Sequence, residues 1–196
     1  MSFRQREVYL TPDSGAARIP VAVEVARVSK TLRNLIDDVG LESLGDESIA
    51  MPMSPQMLEC IVEYMTEHQR DADADAPAPE SMTPAARRTY APSELDAAFI
   101  ARHAAGDDTQ RVTALIGMLL AANYADIGGL LNLAAYGIAR VLDGKTPAQM
   151  RAVFGLPDDF TPDEMEALEA EYACLREHTD RAESAPQPAA QAAPAS

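Results

Sequence analysis

The 196 residues suffice for one domain with an appendage and a sizeable core, and 47% of them are hydrophobic. The net charge of −15 argues against nucleic acid and against an anionic membrane surface, because both are bound through Lys and Arg. It favours a basic protein partner or solubility alone.

The first half of the chain alternates strand and helix patterns. The predicted elements are a β-hairpin over 8–10 and 17–21, a helix over 32–39, a strand over 49–53 and a helix that begins at Ser54-Pro55. Gly40 ends the first helix, and Ser54 caps the second. The second helix is expected to bury Leu58, Ile61, Val62 and Met65. Strands with a helical layer against them indicate an α+β fold.

Residues 70–92 are acidic and rich in Pro, which predicts a disordered linker. A helix over 93–103 follows, with Leu95, Phe99 and Ile100 expected to face inward. Farther on, Thr146-Pro147-Ala148-Gln149 and Thr161-Pro162-Asp163-Glu164 are two capping boxes, each of which starts a helix. The Ala-, Pro- and Gln-rich residues 179–196 predict a disordered tail.

Two amphipathic helices meet at Asn123-Tyr124. The first carries one stripe of a 3.6-residue period, which comprises Val112, Leu115, Ile116, Leu119, Leu120 and Asn123. In the second it comprises Ile127, Leu130, Leu131, Ala134, Ile138, Val141 and Leu142. Leu133, Tyr136 and Gly137 lie off that stripe, so the second helix is apolar on more than one face and needs a further cover. Either the 147–177 region or the helices of a partner can provide it.

The run from Leu120 to Leu131 resembles the Leu-Ala-Ala-Asn-Tyr-x-Asp-Ile-x-x-Leu-Leu motif of the S-phase-kinase-associated adaptor family of SCF-type ubiquitin ligases. Residues 143–154 and 158–164 are similar to two C-terminal motifs of the same family. Residues 21–41 look like its first helix, which closes in Asp-Asp-Val-Gly. The resemblance covers roughly residues 7–178.

This resemblance implies a BTB/POZ domain with two extra C-terminal helices. The chain then divides into 1–69 and 93–143 as the BTB/POZ halves, 70–92 as the linker, 144–178 as the F-box-binding helices and 179–196 as the tail. The implied partners are a cullin scaffold and F-box proteins, and the implied role is to bridge them without catalysis. The implied cullin contacts are Asn123 and Tyr124, and the expected F-box contacts are Leu133, Tyr136, Phe154, Phe160 and Leu168.

Physical chemistry alone also offers purely structural roles for residues at these positions. Asn123 can cap a helix and Tyr124 can fill a corner, a reading at least as good as a binding role without the resemblance. Gly144-Lys145-Thr146 ends like a phosphate-binding loop, but Ala139 stands where that motif needs Gly.

No residue set indicates an enzyme, a metal site or a cofactor. The acidic repeat that begins at Asp71 imitates a calcium loop without its turn Gly. His68, His103 and His178 have no Cys or carboxylate partner at ligand spacing. Cys60 and Cys174 lie far apart, residues 1–6 lack the apolar segment of a signal peptide, and no apolar run is long enough to span a bilayer. We therefore expect a cytoplasmic and nuclear protein.

The chain also departs from the family. Leu95 and Cys174 stand where its members carry Trp, and the second of those Trp residues packs on the F-box. Losing an interface aromatic can cost on the order of 2 kcal/mol, enough to change partner preference. The missing C-terminal Trp motivates the alternative of a divergent decoy that binds one partner only. A further alternative, a stand-alone BTB interaction module, is disfavoured by the capping-box helices after Gly144.

Overall fold

The computed structural model describes residues 7–15, 18–44, 47–71, 90–168 and 170–172. The chain forms two compact units, Met1–Leu156 and Pro157–Ser196. Most of the predicted linker (72–89) and the whole predicted tail lie outside the described residues.

A three-stranded sheet forms the N-terminal part of the first unit. Its strands are β1 (Glu7–Pro12), β2 (Ile19–Ala22) and β3 (Ser48–Met51), in the order β2-β1-β3. β1 is antiparallel to β2 and parallel to β3. Val8 and Leu10 alternate with more exposed residues along β1, as in a strand with one buried face. The predicted hairpin and third strand are confirmed.

The described residues of the first unit also form eight α-helices. They are α1 (Val23–Ala26), α2 (Lys30–Val39), α3 (Leu41–Leu44), α4 (Pro55–Glu67), α5 (Glu94–His103), α6 (Asp108–Ala125), α7 (Gly128–Leu142) and α8 (Pro147–Phe154). Small polar residues fix where they begin: Ser54 accepts from the Met57 N–H, and Ser93, Asp107 and Thr146 form capping boxes. The starts predicted at Ser54 and Thr146 are confirmed, and so is the α+β class. The BTB/POZ topology stays a prediction.

The core is one cluster of buried side chains, to which the sheet, α4, α6 and α7 all contribute. Its largest fully buried side chains include Phe99, Leu10, Leu32, Leu58, Ile61, Met65, Leu115, Met118, Leu130 and Leu133. Leu58, Ile61 and Met65 of α4 are buried as predicted, and Val62 packs against the core from a partly exposed position. Leu95, predicted to face inward, is instead 44% exposed. The buried aromatic of α5 is Phe99.

The stripes predicted for α6 and α7 match the buried faces only in part. On α6 the buried residues are Val112, Leu115, Met118, Ala121, Ala122 and Ala125, whereas Leu120 is 62% exposed. On α7 Leu133 and Gly137 are buried, whereas Leu131, Ile138 and Leu142 are only partly covered. The physical reason is close packing of the two helices, since a Cβ at Gly137 would stand 2.8 Å from Leu115 Cδ2. The glycine face of α7 therefore turns toward α6.

The second unit contains a helix over 162–168 that continues at 170–172. The backbone N–H of Thr161 donates to Glu164 Oε2 at 2.8 Å, and the Glu164 N–H donates back to Thr161 Oγ1 at 3.4 Å. The backbone N–H and the hydroxyl of Thr161 both donate to the Glu164 carboxylate, and these two bonds hold the pKa of Glu164 below its usual range. The start predicted at Thr161 is confirmed.

Among the described residues, no helix combines the length and the apolar character that crossing a membrane requires.

A fully buried serine ties the start of α2 to the end of α6. Ser29 Oγ accepts from the Leu32 N–H at 3.1 Å and donates to the Ala125 carbonyl at 2.5 Å. It therefore satisfies one orphan donor of α2 and one orphan acceptor of α6, both of which would otherwise be buried without a partner.

Ser29→Ala should lower the free energy of unfolding by about 2 kcal/mol or more, because it removes a cap and also leaves a buried carbonyl unpaired. Ser54→Ala is the matched control, since Ser54 caps α4 through a single exposed hydrogen bond to the Met57 N–H. It should cost about 1 kcal/mol. Urea denaturation measures both values, and equal losses would contradict the second role of Ser29.

Candidate functional site

The sharp turn between α6 and α7 depends on a left-handed residue that is not glycine. Asp126 has φ 50° and ψ 56°, and it is the only non-glycine with a positive φ among the described residues. Its N–H donates to the Asn123 carbonyl at 3.3 Å, and the Ile127 N–H donates to the Ala122 carbonyl at 2.9 Å. This pair of bonds is the Schellman arrangement that ends many helices. Only Asp126 and Ile127 separate the two helices.

The start of α2 covers the remaining carbonyls of the same helix end. Thr31 Oγ1 donates to the Tyr124 carbonyl at 3.0 Å, and the Lys30 N–H donates to the Asp126 carbonyl at 3.3 Å. Ser29 donates to the Ala125 carbonyl, so donors of residues 29–31 bind the carbonyls of residues 124–126. The backbone of the junction is thereby fixed, and the side chains of Asn123, Tyr124 and Asp126 are exposed.

Asn123 and Tyr124, the pair that the resemblance assigns to a cullin, lie on this fixed turn. Asn123 is exposed, and Tyr124 is 46% exposed. The helix end is capped by backbone groups of Asp126 and Ile127, and Asn123 takes part through its own carbonyl. The alternative in which Asn123 is the capping side chain is therefore not needed, and the expected surface position of both residues is confirmed.

Tyr124 also forms one wall of a groove between α4 and α6. The groove has a volume of about 250 Å³ and is lined by Pro52, Met53, Ser54, Met57, Gly117, Leu120, Ala121 and Tyr124. Leu120 is the most exposed large hydrophobic residue of the described chain, at 62%. An apolar groove with an uncovered leucine beside an exposed tyrosine has the character of a protein-binding surface.

The sequence indicated Tyr124 but not the rest of this groove. One signal was present in the sequence. Gly117 sits inside a strong helical pattern, where glycine is unfavourable unless space is needed. The contribution of Met53 and Met57 arises only from the packing of α4 on α6.

The expected F-box contacts fall into three environments. Leu133 is fully buried in the core of the first unit, so its expected place on an open surface is corrected. Tyr136 is partly buried, and the ring of Tyr90 meets it edge-on at a centroid distance of 5.5 Å. Phe154, at the end of α8, is 39% exposed. Phe160 and Leu168 belong to the second unit, where Phe160 is 47% exposed and Leu168 is partly exposed.

An ion pair holds the segment between α7 and α8 in place. Lys145 Nζ lies 2.6 Å from Asp108 Oδ2 in the first turn of α6. The hydrogen bond from Lys145 holds the pKa of Asp108 below its usual range. Gly144-Lys145-Thr146 thus lies between two helices and binds a carboxylate of its own chain, which leaves no resemblance to a phosphate-binding loop that follows a strand.

Two histidines do have carboxylate partners, contrary to the expectation from spacing. His68 Nε2 lies 3.2 Å from Asp96 Oδ1, and His103 Nε2 lies 3.0 Å from Glu63 Oε2. Both pairs join α4 and its C-terminal end to α5 and are structural. Within the described ranges, no three His, Cys, Asp or Glu side chains are grouped so that they could hold a metal ion. Burial raises the pKa of the Cys60 thiol to about 12, which makes it an unreactive core side chain.

Comparison with known proteins finds relatives that cover most of this chain. The S-phase kinase-associated protein 1 homolog of Tetrahymena thermophila is 33% identical over 162 residues, which span 82% of this chain and 89% of that protein. This chain belongs to the Skp1 family. The SKP1-like protein 20 of Oryza sativa is also 33% identical, over 77% of this chain and 84% of that protein. The E3 ubiquitin ligase complex SCF subunit sconC of Talaromyces marneffei is 30% identical, over 81% and 90% respectively.

The Skp1 family, dimerisation domain, matches residues 128–175. This range begins at the first residue of α7 and includes α8 and the helix of the second unit. Asn123 and Tyr124 lie just before it, on the last turn of α6.

The strained turn of this Skp1-family chain can be tested at Asp126. Asp126→Gly should raise the free energy of unfolding by up to about 1 kcal/mol, because glycine adopts a positive φ without a Cβ penalty. Asp126→Val should lower it by about 1–2 kcal/mol, since a β-branched residue resists that conformation. Urea denaturation of both variants measures the effect. Greater loss for Gly than for Val would show that the Asp126 side chain, not the backbone, makes the turn.

Proposed function

We propose that this chain is the adaptor subunit of an SCF-type E3 ubiquitin ligase, which binds a cullin scaffold at the α6–α7 junction and an F-box protein through its C-terminal helices. The observation that carries the proposal is the exposed pair Asn123-Tyr124 on a rigid turn, beside an uncovered apolar groove, in a chain whose relatives are named as SCF subunits. We also propose that the first unit has the BTB/POZ topology.

The junction suits a cullin-binding surface for a physical reason. Tyr124 supplies a rigid amphipathic side chain, so little conformational entropy is lost when it is covered. Backbone bonds from the start of α2 already fix its main chain. Leu120 adds apolar area that is in water in the free protein. Covering such area contributes about 25 cal/mol of hydrophobic free energy per Å².

Each unit has its own set of exposed apolar side chains that could contact an F-box protein. Phe154 and Leu156, at the end of the first unit, are 39% and 57% exposed. Phe160, Met165 and Tyr172 of the second unit are 47%, 37% and 51% exposed. In each unit taken by itself, large apolar side chains in water are available for a partner to cover. Leu133 is not among them, because it is buried in the free chain.

An adaptor of this kind acts by proximity. When it holds a cullin and a substrate receptor together, the substrate meets the ubiquitin-carrying end of the complex at a raised effective concentration. The chain's own side chains perform no bond chemistry in this proposal. Its site of action would be the cytoplasm and nucleus, where few and scattered cysteines are usual.

A one-sided decoy is the second candidate, favoured by a specific residue. Cys174 stands at the position of the Trp with which family members contact the F-box. A cysteine offers far less apolar area than an indole, so the F-box face could be too weak while the cullin face is intact. Binding to the two partners must therefore be measured separately.

Two surface variants test the proposal in opposite directions. Asn123→Lys combined with Tyr124→Lys should weaken cullin binding by at least about tenfold and leave F-box binding unchanged. Phe154→Asp combined with Leu156→Asp should do the reverse. Because all four side chains are exposed, both proteins should keep the helical content and melting temperature of the wild type. Calorimetric titration with each purified partner measures the four affinities.

Cullin affinity within about threefold of the wild type in the first variant would remove the junction from the interface. Cullin binding by the wild type without any F-box binding would favour the decoy.

A further inference from the structure

Gly117 lies in the interior of α6 at a position where the fold itself has no need of glycine. A Cβ built on it would stand 2.8 Å from Met57 Cε, and no other atom outside the neighbouring backbone lies within 4 Å. That methyl is the free end of a flexible side chain, so an alanine could be accommodated by a small movement of Met57. Glycine inside a helix is unfavourable, so the position sacrifices helix stability for space.

The space that Gly117 leaves is the groove beside Leu120 and Tyr124. Its volume of about 250 Å³ exceeds the ~150 Å³ apolar cavity that is known to hold a benzene molecule. One aromatic or branched aliphatic side chain therefore fits. A side chain at position 117 would project into this space, directly or by displacing the Met57 methyl.

The lining of the groove selects an apolar occupant over a basic one. The eight described residues that line it include no Asp or Glu, although the chain has 31 acidic residues. A Lys or Arg from a partner would lose its hydration there without gaining a carboxylate. The two polar groups nearby are the Ser54 hydroxyl, which already accepts from the Met57 N–H, and the Tyr124 phenol.

We propose that Gly117 is a specificity-determining residue of the cullin-binding surface: it gives the groove the depth to receive one bulky apolar side chain from the cullin. This inference rests on the function proposed above, because it requires that the cullin dock at the junction. The proposed cullin-binding surface then comprises Asn123, Tyr124 and the floor of the groove, to which Met57 belongs.

The test compares Gly117→Leu with Thr109→Leu. The control adds the same side chain to an exposed position of the same helix, eight residues or about 12 Å away. Titration of each full-length variant with the purified cullin should show at least about tenfold weaker binding for Gly117→Leu and wild-type binding for the control. F-box binding and circular dichroism should match the wild type for both.

Gly117→Ala provides a second variant if the leucine perturbs the fold. It should keep or raise the melting temperature, because the helix gains a better residue, and should weaken cullin binding by about threefold. Adding Met57→Ala to it reopens the groove and should restore part of the affinity.

Three results would overturn the inference. If the wild type and Gly117→Leu bind the cullin equally, groove depth is irrelevant, while the proposed cullin interface stands. If Gly117→Leu unfolds and Gly117→Ala binds like the wild type, glycine serves the fold alone. If the wild type binds no cullin, the proposed function fails at this face and the inference fails with it.

Discussion

The Ser29 hydroxyl joins two helix ends of opposite polarity, because it accepts from the first turn of α2 and donates to the last turn of α6. Dipoles give a helix a partial positive charge at its N-terminus and a partial negative charge at its C-terminus, so the contact is also electrostatically favourable. Lys30 and Thr31 extend it along the same turn. The two halves of the chain, which are separated by the linker, therefore meet at the surface turn that carries Asn123 and Tyr124.

This constraint explains why the turn can be both strained and exposed. Asp126 adopts a left-handed conformation that most residues avoid, and three neighbouring carbonyls receive donors from the start of α2. A backbone held in this way loses little entropy when a partner binds. On the other side of the turn, Gly117 and Leu120 leave an open apolar groove, so the rigid turn and the adaptable groove form one continuous surface.

Local features of the fold could be predicted from sequence because local chemistry decides them. Ser54, Thr146 and Thr161 cap helices through bonds to residues three positions away, and the strands of the hairpin pair across a short turn. The inward faces of α6 and α7 could not be predicted as well. Whether Leu119 or Leu120 turns inward depends on how α6 crosses α4 and α7. The hydrophobic periodicity of the sequence holds no information about that crossing. Leu133 is buried for the same reason, since the close approach at Gly137 rotates α7 toward α6.

The candidate site was predictable only in part. Physical chemistry alone left Tyr124 equally suited to filling a corner, and the family motif was what assigned it to an interface. The groove beside it needs residues from two helices that are far apart in sequence, so no single segment indicated it. His68 and His103 show the same limit, because their carboxylate partners, Asp96 and Glu63, lie across the linker. Such pairs cannot be predicted from the spacing of residues along the chain.

One molecule of this chain is expected to bind a cullin and an F-box protein at the same time, through separate faces. Size-exclusion chromatography with light scattering on a mixture of the three purified proteins measures this. The expected result is a single 1:1:1 complex, with no association of the cullin with the F-box protein when this chain is omitted. Two binary complexes that exclude each other, or cullin binding without F-box recruitment, would contradict it.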